Sequence, residues 1–123
     1  MPETSMKGVL SLKPKPVNLT ENAIRVLQAR YLKKNEKRET VETPENLFWR
    51  VAKSIAAVEK ETTQNITDSE IKELEIKFFN LMAEGLFMPN SPTIMNAGRK
   101  MQQLSACFVI PIEDSMESIF RGV

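Results

Sequence analysis

The sequence predicts a mainly α-helical domain that gives way near its C-terminal end to a short strand. Three observations predict it. Apolar residues recur at helical spacing over most of residues 20–85, and helix-start signals stand at Thr43-Pro44 and Thr67-Asp68-Ser69-Glu70. After Gly85 the pattern changes to loop and then to a compact apolar run.

Residues 1–19 carry Pro2, Pro14 and Pro16 among scattered Lys and Ser without a sustained period, so they read as a flexible or extended arm. Residues before proline are pushed out of the helical region, which favours an extended backbone at Lys13-Pro14-Lys15-Pro16. Thr20 is the N-cap of a helix running to about Tyr31, with Ala23, Ile24, Leu27 and Tyr31 on one face. Lys33 to Glu39 is a charge run flanked by Tyr31-Leu32 and Thr40-Val41, and a short hairpin fits there. Its mixed signs favour a solvated face over a phosphate-binding patch.

Thr43-Pro44 pairs a capping residue with proline at the first helical position. Leu47, Phe48, Val51, Ala52, Ile55 and Val58 then form the buried stripe of a helix reaching about residue 60. Trp49 falls beside that stripe, where partial burial at the domain edge is expected. Thr67 and Glu70 make a capping box for a helix with Ile71, Leu74, Phe78, Leu81 and Met82 on one face, closed by Gly85. Phe78, Phe79, Leu81, Met82, Phe87 and Met88 read as core rather than as a ligand pocket. The strand is expected at about Ser105–Ile110, before Pro111, and Asp114-Ser115-Met116-Glu117 has the pattern of another helix start.

Composition narrows the chemistry. The chain has 123 residues, a net charge of +1 from 17 basic and 16 acidic side chains, no histidine and one cysteine. No global field favours nucleic acid or membrane, and the commonest general base and metal ligand is missing. A single cysteine allows no internal disulfide and makes a four-ligand zinc site unexpected. No apolar run approaches the roughly 18 residues of a membrane span, and no signal peptide is evident. A reducing, cytoplasmic setting is expected.

Two features remain as candidates. Asn90-Ser91-Pro92-Thr93 predicts a tight turn exposing hydroxyls and backbone amides, suited to a phosphate or ribose hydroxyl, although such turns often only link elements. Cys107, by composition alone, reads as a small buried hydrophobe. Alternation along the strand would place Ser105, Cys107 and Val109 on one face.

The segments Arg30-Tyr31-Leu32, Glu42-Thr43-Pro44-Glu45, Leu47-Phe48-Trp49-Arg50-Val51-Ala52, Pro89-Asn90-Ser91-Pro92-Thr93, Asn96-Ala97-Gly98, Gln103-Leu104-Ser105-Ala106-Cys107-Phe108-Val109 and Asp114-Ser115-Met116-Glu117-Ser118-Ile119 follow one another in a distinctive order and spacing. From about Asn22 to Phe120 this order resembles the start of a ribonucleotide reductase, most of all of the adenosylcobalamin-dependent class II. The resemblance implies a helical N-terminal domain over 20–88 and, over 89–123, the start of a truncated catalytic ten-stranded α/β barrel of the ribonucleotide reductase type. It also implies reduction of ribonucleotides to deoxyribonucleotides for DNA synthesis by a thiyl-radical mechanism.

By the same resemblance Cys107 is one of two redox-active thiols, buried beneath the ribose beside its 2'-hydroxyl. Ser91, Ala106 and Cys107 contact the substrate. Asp114, Ser115 and Met116 begin an allosteric site that reads a deoxynucleotide effector at a dimer interface. The radical cysteine with its neighbouring glutamate and asparagine, the second redox cysteine, most of the barrel and the adenosylcobalamin-binding regions fall outside the chain, and no ATP-binding regulatory domain is apparent. The expectation is thus a fragment or split-gene subunit, inactive alone. It would work with the remaining reductase polypeptide and a thioredoxin-like or other dithiol reductant. Two alternatives stand beside it: a non-catalytic relic or helical interaction module, and a fragment of a class I large subunit.

Overall fold

The computed structural model describes residues 12–123 and contains α1 (Glu21–Arg30), α2 (Pro44–Ala57), α3 (Glu59–Thr62), α4 (Asp68–Ala83), α5 (Ser91–Asn96) and α6 (Met116–Gly122). The start signals act as read. The side chains of Thr20, Thr43 and Thr67 each accept a backbone N–H of the first turn, and Glu70 returns the bond to the Thr67 backbone. Thr67→Ala removes that reciprocal pair, and a loss of about 1 kcal/mol is expected in urea unfolding. At the other end of α4, Gly85 has φ +71°, the left-handed region that suits glycine after a helix.

Helices α2 and α4 form the principal packing pair, and α5 lies against α2. Leu47, Phe48, Val51 and Ala52 of α2 meet Phe79, Met82 and Ala83 of α4, closed off by Leu27, Leu32, Ile94 and Ala97. Burying one such large apolar side chain stabilises by about 1.5–3 kcal/mol. The α4 face differs from the expected one. Phe79 is fully buried, whereas Phe78 is half-buried and Leu81 exposed. Phe79 stacks on the ring of Trp49, with centroids 4.1 Å apart and planes 14° apart. Trp49 itself is half-buried, with Lys53 Nζ 5.8 Å from its ring centroid.

The end of the second helix and the arm also depart from expectation, while the hairpin forms in part. The second helix ends at Ala57, short of the expected residue 60, and the chain restarts as the single turn α3. Residues 33–41 form a hairpin-like turn, with a lone antiparallel bridge between Lys34 and Thr40 and with Arg38 at φ +63°. The expected arm lies partly outside the described residues. Its described part, 12–19, has no regular secondary structure but is tied down: the buried Asn80 accepts from Lys15 N at 2.8 Å and donates to Lys13 O at 3.0 Å.

The strand expected at Ser105–Ile110 does not form. Phe108 and Ile110 are exposed and Val109 fully so. A strand exists through hydrogen bonds to a neighbouring strand, and none is present among the described residues. Among the described residues no helix is long and apolar enough to cross a membrane.

Candidate functional site

The turn expected at Asn90–Thr93 is the first turn of a helix, α5. Asn90 is its N-cap: Oδ1 accepts from Thr93 N at 3.1 Å and lies 2.6 Å from the Thr93 hydroxyl. Ser91 is the first helical residue and Pro92 follows, where a missing N–H costs nothing. Both hydroxyls of the sequence motif are therefore held on a helix rather than on a loop.

The far end of α5 is gripped by Arg50 of α2. Its guanidinium donates to Ala97 O at 2.6 Å and Ile94 O at 3.2 Å, two carbonyls that the helix itself leaves without a partner. The same group forms a two-pronged pair with Glu42, Nε to Oε2 at 2.9 Å and Nη2 to Oε1 at 3.0 Å. The side chains are 13% and 8% exposed, so water does little to screen them. Burial raises the Glu42 pKa, but hydrogen bonds from Arg50 and its charge outweigh that and hold the carboxyl below its ordinary range. Arg99 lies in the same charge cluster: burial and the Arg50 charge lower its pKa, and Glu42 opposes them.

Gly98 makes this grip possible. Its φ is +73°, and a Cβ built there would lie 2.9 Å from Arg50 Cγ. Gly98→Ala is expected to cost at least about 1 kcal/mol from the left-handed backbone alone, read as a lower thermal midpoint.

From α5 the chain is tied to the cysteine segment. Asn96 Nδ2 donates to Gln103 O at 2.8 Å, and the Thr93 hydroxyl, which Asn90 also engages, lies 3.1 Å from Leu104 O. Gln102 Oε1 accepts from Gly98 N at 3.2 Å and from Ser54 Oγ at 2.9 Å. Beyond half-buried Leu104 the anchors stop, and Ser105, Ala106 and Cys107 are exposed. The burial expected for Cys107 is corrected accordingly: its thiol is free and exposed, because no described residue packs over it.

Ser91 is exposed, and its Oγ lies 2.8 Å from the Tyr31 hydroxyl. The two side chains share a cleft of about 410 Å³ between α1 and α5. Asp114, Ser115 and Met116 stand apart at the start of α6, all exposed. Ser115 caps that helix by accepting Ser118 N at 3.1 Å, and Glu113 N donates to Ser118 Oγ at 2.9 Å, so the bonding there is local. Thus α5 connects Ser91 to the Ala106-Cys107 segment, and no hydrogen bond among the described residues links either to Asp114–Met116.

Sequence reasoning passed over Arg50, Glu42, Tyr31 and Asn96 as site-forming residues. Each sits inside a distinctive motif, but nothing in the spacing of Glu42 and Arg50 announces a pair that caps a helix more than 40 positions on. A second cleft of about 360 Å³, lined by Ile55, Phe78, Leu81, Phe87 and Thr93 among others, lies where those apolar residues were read as core. It stands at the small end of ordinary ligand pockets. No group of three or more His, Cys, Asp or Glu converges among the described residues.

Residues 17–102 match the family described as the ribonucleotide reductase all-alpha domain. Among curated proteins, the chain is 36% identical over 156 aligned residues to the vitamin B12-dependent ribonucleoside-diphosphate reductase of Thermoplasma acidophilum, covering 85% of this chain and 20% of that protein. A protein of the same name from Mycobacterium tuberculosis is 35% identical over 93% of this chain and 16% of its own length. The ribonucleoside-diphosphate reductase large subunit of Acanthamoeba polyphaga mimivirus is 35% identical over 83% of this chain and 10% of its own. The chain therefore spans a fifth or less of the length of these relatives.

Proposed function

The chain belongs to the ribonucleotide reductase family through its all-alpha N-terminal domain, and from that premise we propose that it serves ribonucleotide reduction by supplying Ser91 and Cys107 to a substrate site completed by further reductase polypeptide. The match over residues 17–102 supports the reductase reading, and the roles of Ser91 and Cys107 rest on the motifs that surround them. The division of labour follows the chemistry. Ser91 offers a neutral hydroxyl to the substrate's phosphate or sugar, with Ala106 and Cys107 adjoining it. A thiyl radical on a cysteine beyond this chain removes the 3'-hydrogen, and the 2'-hydroxyl leaves as water. Cys107 and a second thiol give up two electrons and two protons overall and end as a disulfide, so one ribonucleotide and two thiols yield one deoxyribonucleotide, one disulfide and one water. A dithiol reductant then regenerates the pair by thiol–disulfide exchange.

The same proposal divides the chain into a helical domain over 20–88 and the opening of the barrel over 89–123, with residues 1–19 as an arm. Asp114, Ser115 and Met116 belong in it to a deoxynucleotide-effector site at a dimer interface. The setting is the cytoplasm, whose reducing poise keeps Cys107 a thiol. Adenosylcobalamin is the radical source, on the names of the Thermoplasma and Mycobacterium relatives. Parts of the enzyme beyond these residues would hold it.

A second reading, the oxygen-dependent class I, draws on the mimivirus relative, whose name carries no B12. One assay separates them: ribonucleotide reduction by the complete enzyme, with a dithiol, in the presence and absence of adenosylcobalamin. Deoxynucleotide formed only with adenosylcobalamin is the expected result. Formation independent of it supports class I, and none from folded enzyme under either condition overturns the reductase reading.

A further inference from the structure

We propose that Tyr31 is a positioning residue for substrate binding, its phenol holding the Ser91 hydroxyl in the orientation that receives the ribonucleotide. The inference rests on the reading of Ser91 as a substrate contact and goes beyond it to the group that sets its geometry. The two oxygens are 2.8 Å apart, joining positions 60 residues apart in the chain.

Tyr31 is fixed at every point except its hydroxyl proton. It is the C-cap of α1, with its N–H bonded to Leu27 O at 2.9 Å and its carbonyl 3.4 Å from Arg99 Nη2. Its ring is half-buried against the core. Ser91 is equally fixed at the start of α5 by the Asn90 cap on one side and the Arg50 grip on the other. A serine hydroxyl alone is a free rotor with one proton and two lone pairs. Either hydroxyl can donate in this pair; with the phenol, the more acidic of the two, donating, the serine oxygen accepts. That arrangement leaves the Ser91 proton available for an anionic oxygen of the substrate. The donated bond also polarises the Ser91 O–H and strengthens what it gives.

Loss of a neutral hydrogen bond of this kind corresponds to about a fivefold change in an equilibrium constant. Tyr31→Phe keeps the ring and deletes only the hydroxyl. In the complete reductase it is expected to raise KM for the ribonucleotide about fivefold, with kcat and thermal midpoint unchanged. Ser91→Ala is expected to raise KM at least as much, and Tyr31→Phe added to Ser91→Ala to change nothing further. A KM unaltered by Tyr31→Phe while Ser91→Ala raises it overturns the proposal and leaves the Ser91 reading standing. An equal effect of Tyr31→Phe in both backgrounds also overturns it, because Tyr31 then acts without Ser91. A KM unaltered by Ser91→Ala removes the underlying reading, and the proposal falls with it.

Discussion

Cys107→Ser in the complete reductase is expected to reduce multiple-turnover deoxynucleotide formation to the assay background while leaving the fold intact. Serine keeps the size and a hydroxyl, but it cannot enter a disulfide, so the two-electron store is gone. The stability side of the expectation follows from the placement of Cys107. Its side chain is exposed and lies beyond the last anchor at Leu104. In this chain an exposed substitution of similar size stays within about 0.5 kcal/mol. Thermal midpoint and far-ultraviolet circular dichroism measured beside turnover separate the two effects. Full turnover by the variant would mean that the reducing equivalents do not pass through Cys107.

Arg50→Met is expected to be the most destabilising of the substitutions considered, by about 3 kcal/mol at pH 7. Methionine retains much of the apolar stem against Gly98 but leaves Glu42 as a buried carboxylate without its partner. It also leaves Ala97 O and Ile94 O without a donor. Such a loss is a large fraction of the stability of a small domain. Urea unfolding followed by the fluorescence of Trp49, the sole tryptophan, reads it directly.

Acid titration gives the second half of this result. With Arg50 present, Glu42 has a folded pKa below its unfolded value near 4.3. Its stabilising contribution is therefore in place above about pH 4.3 and is lost as pH falls through the depressed folded value. Without Arg50 the Lys33 N–H and the Arg99 charge still lower the Glu42 pKa, but the main opposition to burial is gone, so the pKa rises from its value in the native protein and protonation costs the variant less. The gap between the two proteins should shrink as the pH falls toward the depressed folded value of Glu42. A gap independent of pH would show that Arg50 stabilises through packing alone.

What the sequence made legible depends on how local the signal is. Thr20, Thr43 and Thr67 announced their helices because a cap acts within three residues. The α2 stripe was readable for the same reason, through Leu47, Phe48, Val51 and Ala52. Phe79 read as core, but its stacking on Trp49 was not legible, since it joins two helices. Asn90-Ser91-Pro92-Thr93 has both a capping residue and an early proline, yet six residues are too few to show a helical period. Ser105–Ile110 has strand composition, but pairing is a property of the neighbour and not of the segment. Ser91 and Cys107 stood out by motif, whereas the α5 bonds through Asn96 and Thr93 joining their segments are tertiary facts.

Because α5 bears Ser91 at one end and is bonded through Asn96 to Gln103, it acts as a gauge block between the hydroxyl and the thiol segment. Each residue of a helix contributes about 1.5 Å of rise and 100° of rotation. One residue added between Ser91 and Asn96 would swing the hydroxyl by that angle away from Tyr31, even with every side chain preserved. The spacing from position 91 to position 103 is thus as much a part of the site as the residues that occupy it. Insertions belong outside that interval, where the 63–66 connection between α3 and α4 can absorb them without moving one group relative to the other.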